Sequence, residues 1–300
     1  MKNMSTRVIF FGNERLVSGL SHTDAPVLMG LIKHGYDIQA IISHYSTSRS
    51  RNQRSLEVAE IGRRYDIPVL LPHNPIDIMN QIIEYNAEIA VLAAYGRIIP
   101  QQLIDVFPKG IVNLHPSLLP KYRGPTPIES AIENGDSKTG VSIMQLTAGM
   151  DAGPIYAQKS IQLSGTETKF DVCDTLSQIG ADLLLSVLPK IIDGSLQPTP
   201  QDSSKATYSQ LLHKSDALLN TDHLTAIEAE RKIRAHLEFP KTKITISDNT
   251  IIITKAHVSQ TQQSLLDIKC KDKNFLSIDE LIAPSGKKMD RASFLRGYAA

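Results

Sequence analysis

The chain is poor in cysteine: Cys173 and Cys270 are its two thiols, far apart and without ligand-like neighbours. That argues against a disulfide framework and a cysteine-based metal site, and it fits a reducing cytoplasm. No apolar run approaches the roughly 20 residues of a membrane span. The segment before the first β-branched run, Val8–Phe11, has no signal-peptide pattern. A cytoplasmic protein with no membrane partner is the expectation. Spaced glycines are also missing. Gly12 and Gly19 follow the first apolar run, but Gly-x-Gly-x-x-Gly is absent, which argues against a dinucleotide site. No His/Cys cluster offers a metal site, so none is expected. No internal repeat is visible.

Charge is nearly balanced, at +1 over 300 residues, yet it is unevenly spread. Residues 1–204 hold 17 Lys+Arg against 20 Asp+Glu, whereas residues 205–300 hold 15 against 11. A mildly basic C-terminal third suits a polyanionic partner such as RNA. The hydrophobic share of 41% and charged share of 21% are those of a globular protein with enough chain for one or two cores.

The first two thirds alternate short β-branched runs with helical patterns, which predicts an α/β fold with a mostly parallel sheet. Strands are expected at Arg7–Phe11, Ile38–Ile42, Val69–Leu71, Ile89–Ala93 and Ile111–His115. Helices are expected at Ala25–His34, Ser55–Tyr65, Ile76–Glu84, Gln101–Val106 and Pro127–Glu133, followed by a hairpin of Gly140–Leu146 and Pro154–Ile161. Lys169–Ile192 carries the periodicity of a long amphipathic helix. Residues 193–209, with Gly194, Pro198 and Pro200, read as a linker between a domain at 1–192 and another at 210–300. Past it, Thr225–Leu237 looks helical. Ile244–Ile246, Ile251–Lys255 and Leu265–Cys270 suggest a small β-barrel or sandwich. Nothing demands assembly, so a monomer is expected.

The chemistry concentrates in Gly110-Ile-Val-Asn-Leu-His-Pro-Ser-Leu-Leu-Pro-Lys-Tyr-Arg-Gly124. Asn113 and His115 stand two residues apart in a strand and therefore share a face. Pro116 follows at once, so the pair lies at the strand's C-terminal end, where open α/β sheets bind ligands. An amide that holds an oxyanion beside an imidazole that handles protons is the minimal kit for a carbonyl transfer. A lone histidine at a strand end is more often structural; here Ser117, two prolines, Arg123 and Gly124 crowd within ten residues. Downstream, Asp151 sits between Gly149 and Gly153 in a loop that turn chemistry alone would explain.

This block closely resembles the hallmark of the folate-dependent formyltransferases, Asn-x-His-x-Ser-Leu-Leu-Pro-x-x-Arg-Gly, with every fixed position filled. The resemblance implies a Rossmann-like catalytic domain, followed by an OB-like C-terminal barrel, and 10-formyltetrahydrofolate as co-substrate. It implies Asn113, His115 and Asp151 as the catalytic trio, because the family's aspartate lies 38 residues after its asparagine, as here. Ser117, Leu118, Leu119 and Pro120 match the family's folate-binding stretch. Arg97, Ile98 and Ile99 align with the family's strand-end loop, which implies that they contact the pterin through the backbone.

The block Gly140-Val-Ser-Ile-Met-Gln145 and the terminal runs Ala283–Met289 and Phe294–Tyr298 are similar to the tRNA-acting branch. The acceptor implied is the methionine amine of initiator methionyl-tRNA; the alternative is a nucleotide-sugar amine. In the family a basic loop after the second strand enters the acceptor-stem groove, and Arg49, Arg51 and Arg54 stand there. The opening Gly12-Asn-Glu-Arg departs from the family's Gly-Thr-Pro.

Overall fold

The computed structural model describes residues 5–12, 25–44, 57–246 and 249–298. The chain divides into two compact units, the first of Met1–Pro125, Thr139–Ile161 and Cys173–Ser209, the second of Thr126–Lys138, Gln162–Val172 and Gln210–Ala300.

In chain order the first elements are β1 (Arg7–Gly12), α1 (Pro26–Lys33), β2 (Asp37–Ile42), α2 (Glu57–Arg64), β3 (Val69–Leu70), α3 (Met79–Glu84) and β4 (Ile89–Ala93). There follow α4 (Gln101–Ile104), β5 (Ile111–His115), α5 (Pro127–Glu133), β6 (Lys138–Gln145), β7 (Ile155–Gln162) and α6 (Lys169–Ile192). The sheet of the first unit runs β3-β2-β1-β4-β5-β6-β7. Its first five strands pair in parallel, and β6 turns antiparallel to β5. This is the Rossmann-like arrangement.

Val8, Ile9, Phe10 and Phe11 are all fully buried, so β1 is covered on both faces, as parallel sheets require. Ile9 and Phe11 share one core with Ile42, Leu92, Leu103 and Phe107. The chain first winds outward from β1 to β3 and then returns to the other side of β1 as β4. That reversal creates a crevice at the carboxyl ends of β1 and β4, the place where such sheets bind ligands. Register sets Gly12 beside Ala93 and Ala93 beside Leu114, so His115 ends its strand next to that crevice.

Helix α6 is long and apolar enough, by length and composition, to cross a bilayer. Its pattern is that of a core helix. Cys173, Leu176, Leu184 and Leu188 are fully buried, while Asp174, Asp182 and Lys190 are exposed on other faces.

The second unit adds α7 (Ala226–Ala235), β8 (Lys243–Ile246), β9 (Asn249–Ser259), β10 (Asp267–Lys269), β11 (Phe275–Ile282), β12 (Lys288–Asp290) and α8 (Arg291–Tyr298). Thr225 caps α7 reciprocally with Glu228, each side chain taking the other's backbone N–H. The strands run β10-β11-β9-β8, with β12 on β11. Register breaks around Glu280 bend β11 against β9, and such bulges curl the sheet toward a half-barrel. Its core gathers Ile251, Ile253, Leu276, Ile278, Leu281 and Phe294 with Ala229 and Ile233 of α7.

The expected segments at Ile89–Ala93, Ile111–His115, Pro127–Glu133 and Lys169–Ile192 keep their limits. Elsewhere boundaries shift. The helix expected from Ile76 opens instead as a 3-10 turn at Pro75–Ile78, with Asn74 capping it, and becomes α-helical only at Met79. The expected helix at Ser55–Tyr65 begins in residues outside those described. Arg49, Arg51 and Arg54, and all but the first residue of the Gly12–Gly19 loop, also fall outside them.

Candidate active site

Asn113 and His115 project from the C-terminal half of β5, each 5% exposed. Asn113 lies between Leu92 of β4 and Met144 of β6, and His115 is level with Ser142 of β6. The His115 Nε2 lies 2.9 Å from the Tyr122 carbonyl oxygen. A carbonyl only accepts, so Nε2 carries the proton in the resting ring. That leaves Nδ1 as the basic nitrogen. It faces the Asp151 Oδ2 at 3.6 Å, longer than a hydrogen bond, so the two pair as ions only when the ring carries a second proton.

The carboxylate is held from the other side, where the Gly124 N–H donates to the same Oδ2 at 2.8 Å. Both loops bend through the left-handed region to reach these positions, with φ of 57° at Tyr122, 111° at Gly124 and 45° at Asp151. A non-glycine residue there is strained by about 1–3 kcal/mol, and such outliers cluster at functional sites. Two glycines are obligatory. A Cβ on Gly124 would meet the Ser209 carbonyl oxygen at 2.9 Å, and one on Gly153 would sit 1.9 Å from that of Gln145.

The stretch Ser117–Pro120 is pinned beside His115 by Ser142 and Gln158. Ser142 Oγ donates to the Ser117 carbonyl at 2.6 Å and accepts from the Leu119 N–H at 3.1 Å. Gln158 Nε2 donates to the Leu119 carbonyl at 2.8 Å. The Ser117 hydroxyl itself turns back onto the Lys121 carbonyl. Ser117 and Leu119 are buried, so their side chains hold the loop's shape, while Leu118 and Pro120 are half-exposed.

At the end of β4, Ala94 and Gly96 adopt left-handed φ values of 54° and 71°. The turn buries Tyr95 and Ile99 in the core, leaves Arg97 half-exposed and presents Ile98, which is 83% exposed. Burial pushes the Tyr95 hydroxyl up to about 12, against the opposing charge of Arg97. His44, edge-on to Tyr95, is pushed down by burial and then by Arg97. Both rings therefore stay neutral near pH 7.

Sequence reasoning missed what fastens the trio. Segment 199–209 returns along these loops. Thr207 Oγ1 accepts from the Tyr122 N–H at 2.9 Å, its carbonyl accepts from the Arg123 N–H at 2.8 Å, and Thr199 pairs with Ile155 through both backbone groups. These partners lie 44–85 residues away or act through backbone atoms, so no local pattern announces them. Among the described residues, no three His, Cys, Asp or Glu side chains group as a metal site.

Residues 16–188 match the family described as Formyl transferase, and residues 211–299 match its C-terminal domain. The chain belongs to the formyl transferase family. Among its relatives is the methionyl-tRNA formyltransferase of Lactobacillus acidophilus, 36% identical over 98% of this chain and 96% of that protein. Another is the methionyl-tRNA formyltransferase of Coxiella burnetii, 37% identical over 77% of this chain and 73% of its own.

Solved structures share the fold at lower identity. An N-formyltransferase from Helicobacter canadensis, in complex with folinic acid and dTDP-3-aminofucose, covers 92% of this chain and 99% of its own, with a TM-score of 0.68 and 17% identity. HypX from Aquifex aeolicus covers 98% of this chain, with a TM-score of 0.68 and 16% identity; this chain spans about half of it.

Proposed function

We propose that this chain transfers the formyl group of 10-formyltetrahydrofolate to the α-amino group of methionine on initiator methionyl-tRNA, and so serves translation initiation. The observation that carries the reading is His115, with Nε2 committed to a backbone carbonyl and Nδ1 turned to Asp151, on the same strand face as Asn113. The extent of similarity to the tRNA-acting relatives supports the acceptor, since it runs nearly end to end.

An α-amine with a pKa near 8 is about one tenth neutral at pH 7, so a strong base is not needed to start the reaction. The neutral amine attacks the formyl carbon, and a C–N bond forms while the carbonyl oxygen takes the negative charge. Asn113 donates to that oxygen. His115, protonated at Nδ1 and balanced by Asp151, supplies positive charge beside it. The proton lost from the new ammonium passes to N10 as the original C–N bond breaks, releasing tetrahydrofolate and the formylated amine. Holding the oxyanion contributes most to the acceleration, about 10²–10³ in rate per donor.

For the folate, the fit rests on the β4 turn and the Ser117–Pro120 loop. Ala94 is half-exposed and Gly96 exposed, both on left-handed backbone, and Ile98 offers an apolar surface for a flat ring. Arg97, Ile98 and Ile99, together with Ser117, Leu118, Leu119 and Pro120, form this side of the site in our reading.

Arg49, Arg51 and Arg54 serve the acceptor stem, and residues 210–300 form the RNA-holding domain, joined through 193–209 to a catalytic domain at 1–192. Exposed Lys255, Lys269, Lys271, Lys273 and Lys287 suit phosphate contacts. The protein acts as a cytoplasmic monomer without a membrane partner.

The experiment is formyl transfer to initiator methionyl-tRNA, elongator methionyl-tRNA and a nucleotide-linked amino sugar in parallel. Selective formylation of the initiator is expected. Turnover on the sugar alone would overturn the acceptor and keep the chemistry.

A further inference from the structure

The side chain of Gln201 lies at the centre of the segment that follows α6. Its Nε2 donates to the carbonyl of Asp151 at 2.8 Å and to that of Gly153 at 2.7 Å. Its Oε1 accepts from Arg123 Nε at 3.0 Å and from Arg123 Nη2 at 2.8 Å. A carboxamide has two N–H donors and an oxygen with two lone pairs, so all four positions are used. The orientation is fixed by chemistry: a flipped amide would set its N–H groups against a guanidinium and its oxygen against two carbonyls.

These bonds join the two loops that hold the His–Asp pair. Arg123 stands between Tyr122, whose carbonyl takes His115 Nε2, and Gly124, whose N–H takes Asp151 Oδ2. The other loop carries Asp151 itself, in a left-handed conformation that persists only where its surroundings over-determine it. Arg123 is 3% exposed, and its further hydrogen bonds, to Ser203 Oγ and Tyr208 OH at 3.4 and 3.5 Å, are long. Gln201 therefore supplies the close acceptor for a buried cation and the donors that hold the Asp151 turn.

We infer that Gln201 is a positioning residue for formyl transfer, setting the separation of Asp151 from His115, and that residues 199–209 strap the site in addition to connecting domains. The inference rests on the function proposed above. Gln201 touches no reacting atom; it acts through Asp151. A misplacement of about 1 Å in a catalytic group can cost 10²-fold in rate, so a loss in kcat of about 10- to 100-fold is expected.

The test measures kcat, KM for both substrates and thermal stability for Gln201→Ala and Gln201→Glu, alone and combined with Asp151→Asn. Gln201→Glu keeps an acceptor for Arg123 but turns a carboxylate oxygen toward the two carbonyls. Both variants should lose kcat with KM unchanged. On the Asp151→Asn background, Gln201→Ala should add little, because the group it positions no longer functions.

Fully additive losses in the double variant, or a loss confined to KM, would overturn the inference. So would a wild-type kcat in Gln201→Glu or Gln201→Ala, and that result would leave the proposed function standing. A wild-type chain that formylates no amine would overturn both.

Discussion

The Tyr122 carbonyl oxygen lies 2.9 Å from His115 Nε2 and, as an acceptor, favours the tautomer with the proton on that nitrogen. The strand face holding His115 and the left-handed turn holding Tyr122 meet through this contact. The ring's other nitrogen, Nδ1, is thereby turned toward Asp151.

The first prediction concerns that proton. Nitrogen-15 NMR of the free enzyme, with His115→Gln used for assignment, should find the neutral His115 ring protonated at Nε2. A neutral ring protonated at Nδ1 would mean that Asp151, and not Tyr122, sets the tautomer.

Asp151→Asn separates charge from shape. Asparagine tolerates the left-handed backbone and keeps an oxygen for the Gly124 N–H. The melting temperature should hold while kcat falls by about 10²–10³, the range for losing charge support at the oxyanion. A kcat near wild type would remove Asp151 from the chemistry.

Gly153→Ala should fail for a steric reason, since its Cβ would lie 1.9 Å from the Gln145 carbonyl oxygen. The backbone must move and carry the Asp151 turn with it. A loss of about 1–3 kcal/mol in urea unfolding is expected, with a fall in kcat. Gly165→Ala is the control, because no heavy atom comes within 4 Å of its Cβ position, though its φ of 90° adds some strain.

In the second unit, Asp267 gives a pH-dependent prediction. Burial alone would raise its pKa, but the Ser277 hydroxyl, the Gln263 and Ser264 N–H groups and the Arg291 charge together hold it below the usual carboxylate range. A carboxyl depressed in the folded state stabilises it fully above the unfolded pKa of about 3.9, and that stabilisation is lost as pH falls through the folded value. Asp267→Asn should therefore cost stability at pH 7, about 1.5–3 kcal/mol for losing a charged hydrogen-bond partner. Near pH 2 the gap to wild type should narrow. Urea melts at both pH values check it; a gap independent of pH would contradict the assignment.

Much of the fold was legible because the signals were local. Ile111–His115 is a β-branched run stopped by Pro116, and Lys169–Ile192 repeats its apolar residues at helical spacing. Strand Phe275–Ile282 was not picked out. Asp279 and Glu280 interrupt its apolar pattern, and the bulge at Glu280 breaks the alternation on which such a reading depends. Helix Arg291–Tyr298 was missed for a related reason, since it follows β12 with no intervening turn. Asn113 and His115 stood out as a local motif, whereas Asp151, 38 residues beyond Asn113, was offered by the family resemblance alone. The Tyr122 carbonyl had no side-chain signature, and Gln201 sat in a Pro-rich stretch that read as a tether, 50 residues from the turn it holds.

The most direct test of the central claim is single-turnover formyl transfer to initiator methionyl-tRNA by wild type and Asn113→Ala, with tRNA affinity measured alongside. A rate about 10²–10³ lower in the variant, with affinity retained, is expected, because the amide acts on the oxyanion alone. An unchanged rate in Asn113→Ala, or a loss explained by weaker tRNA binding, would contradict it.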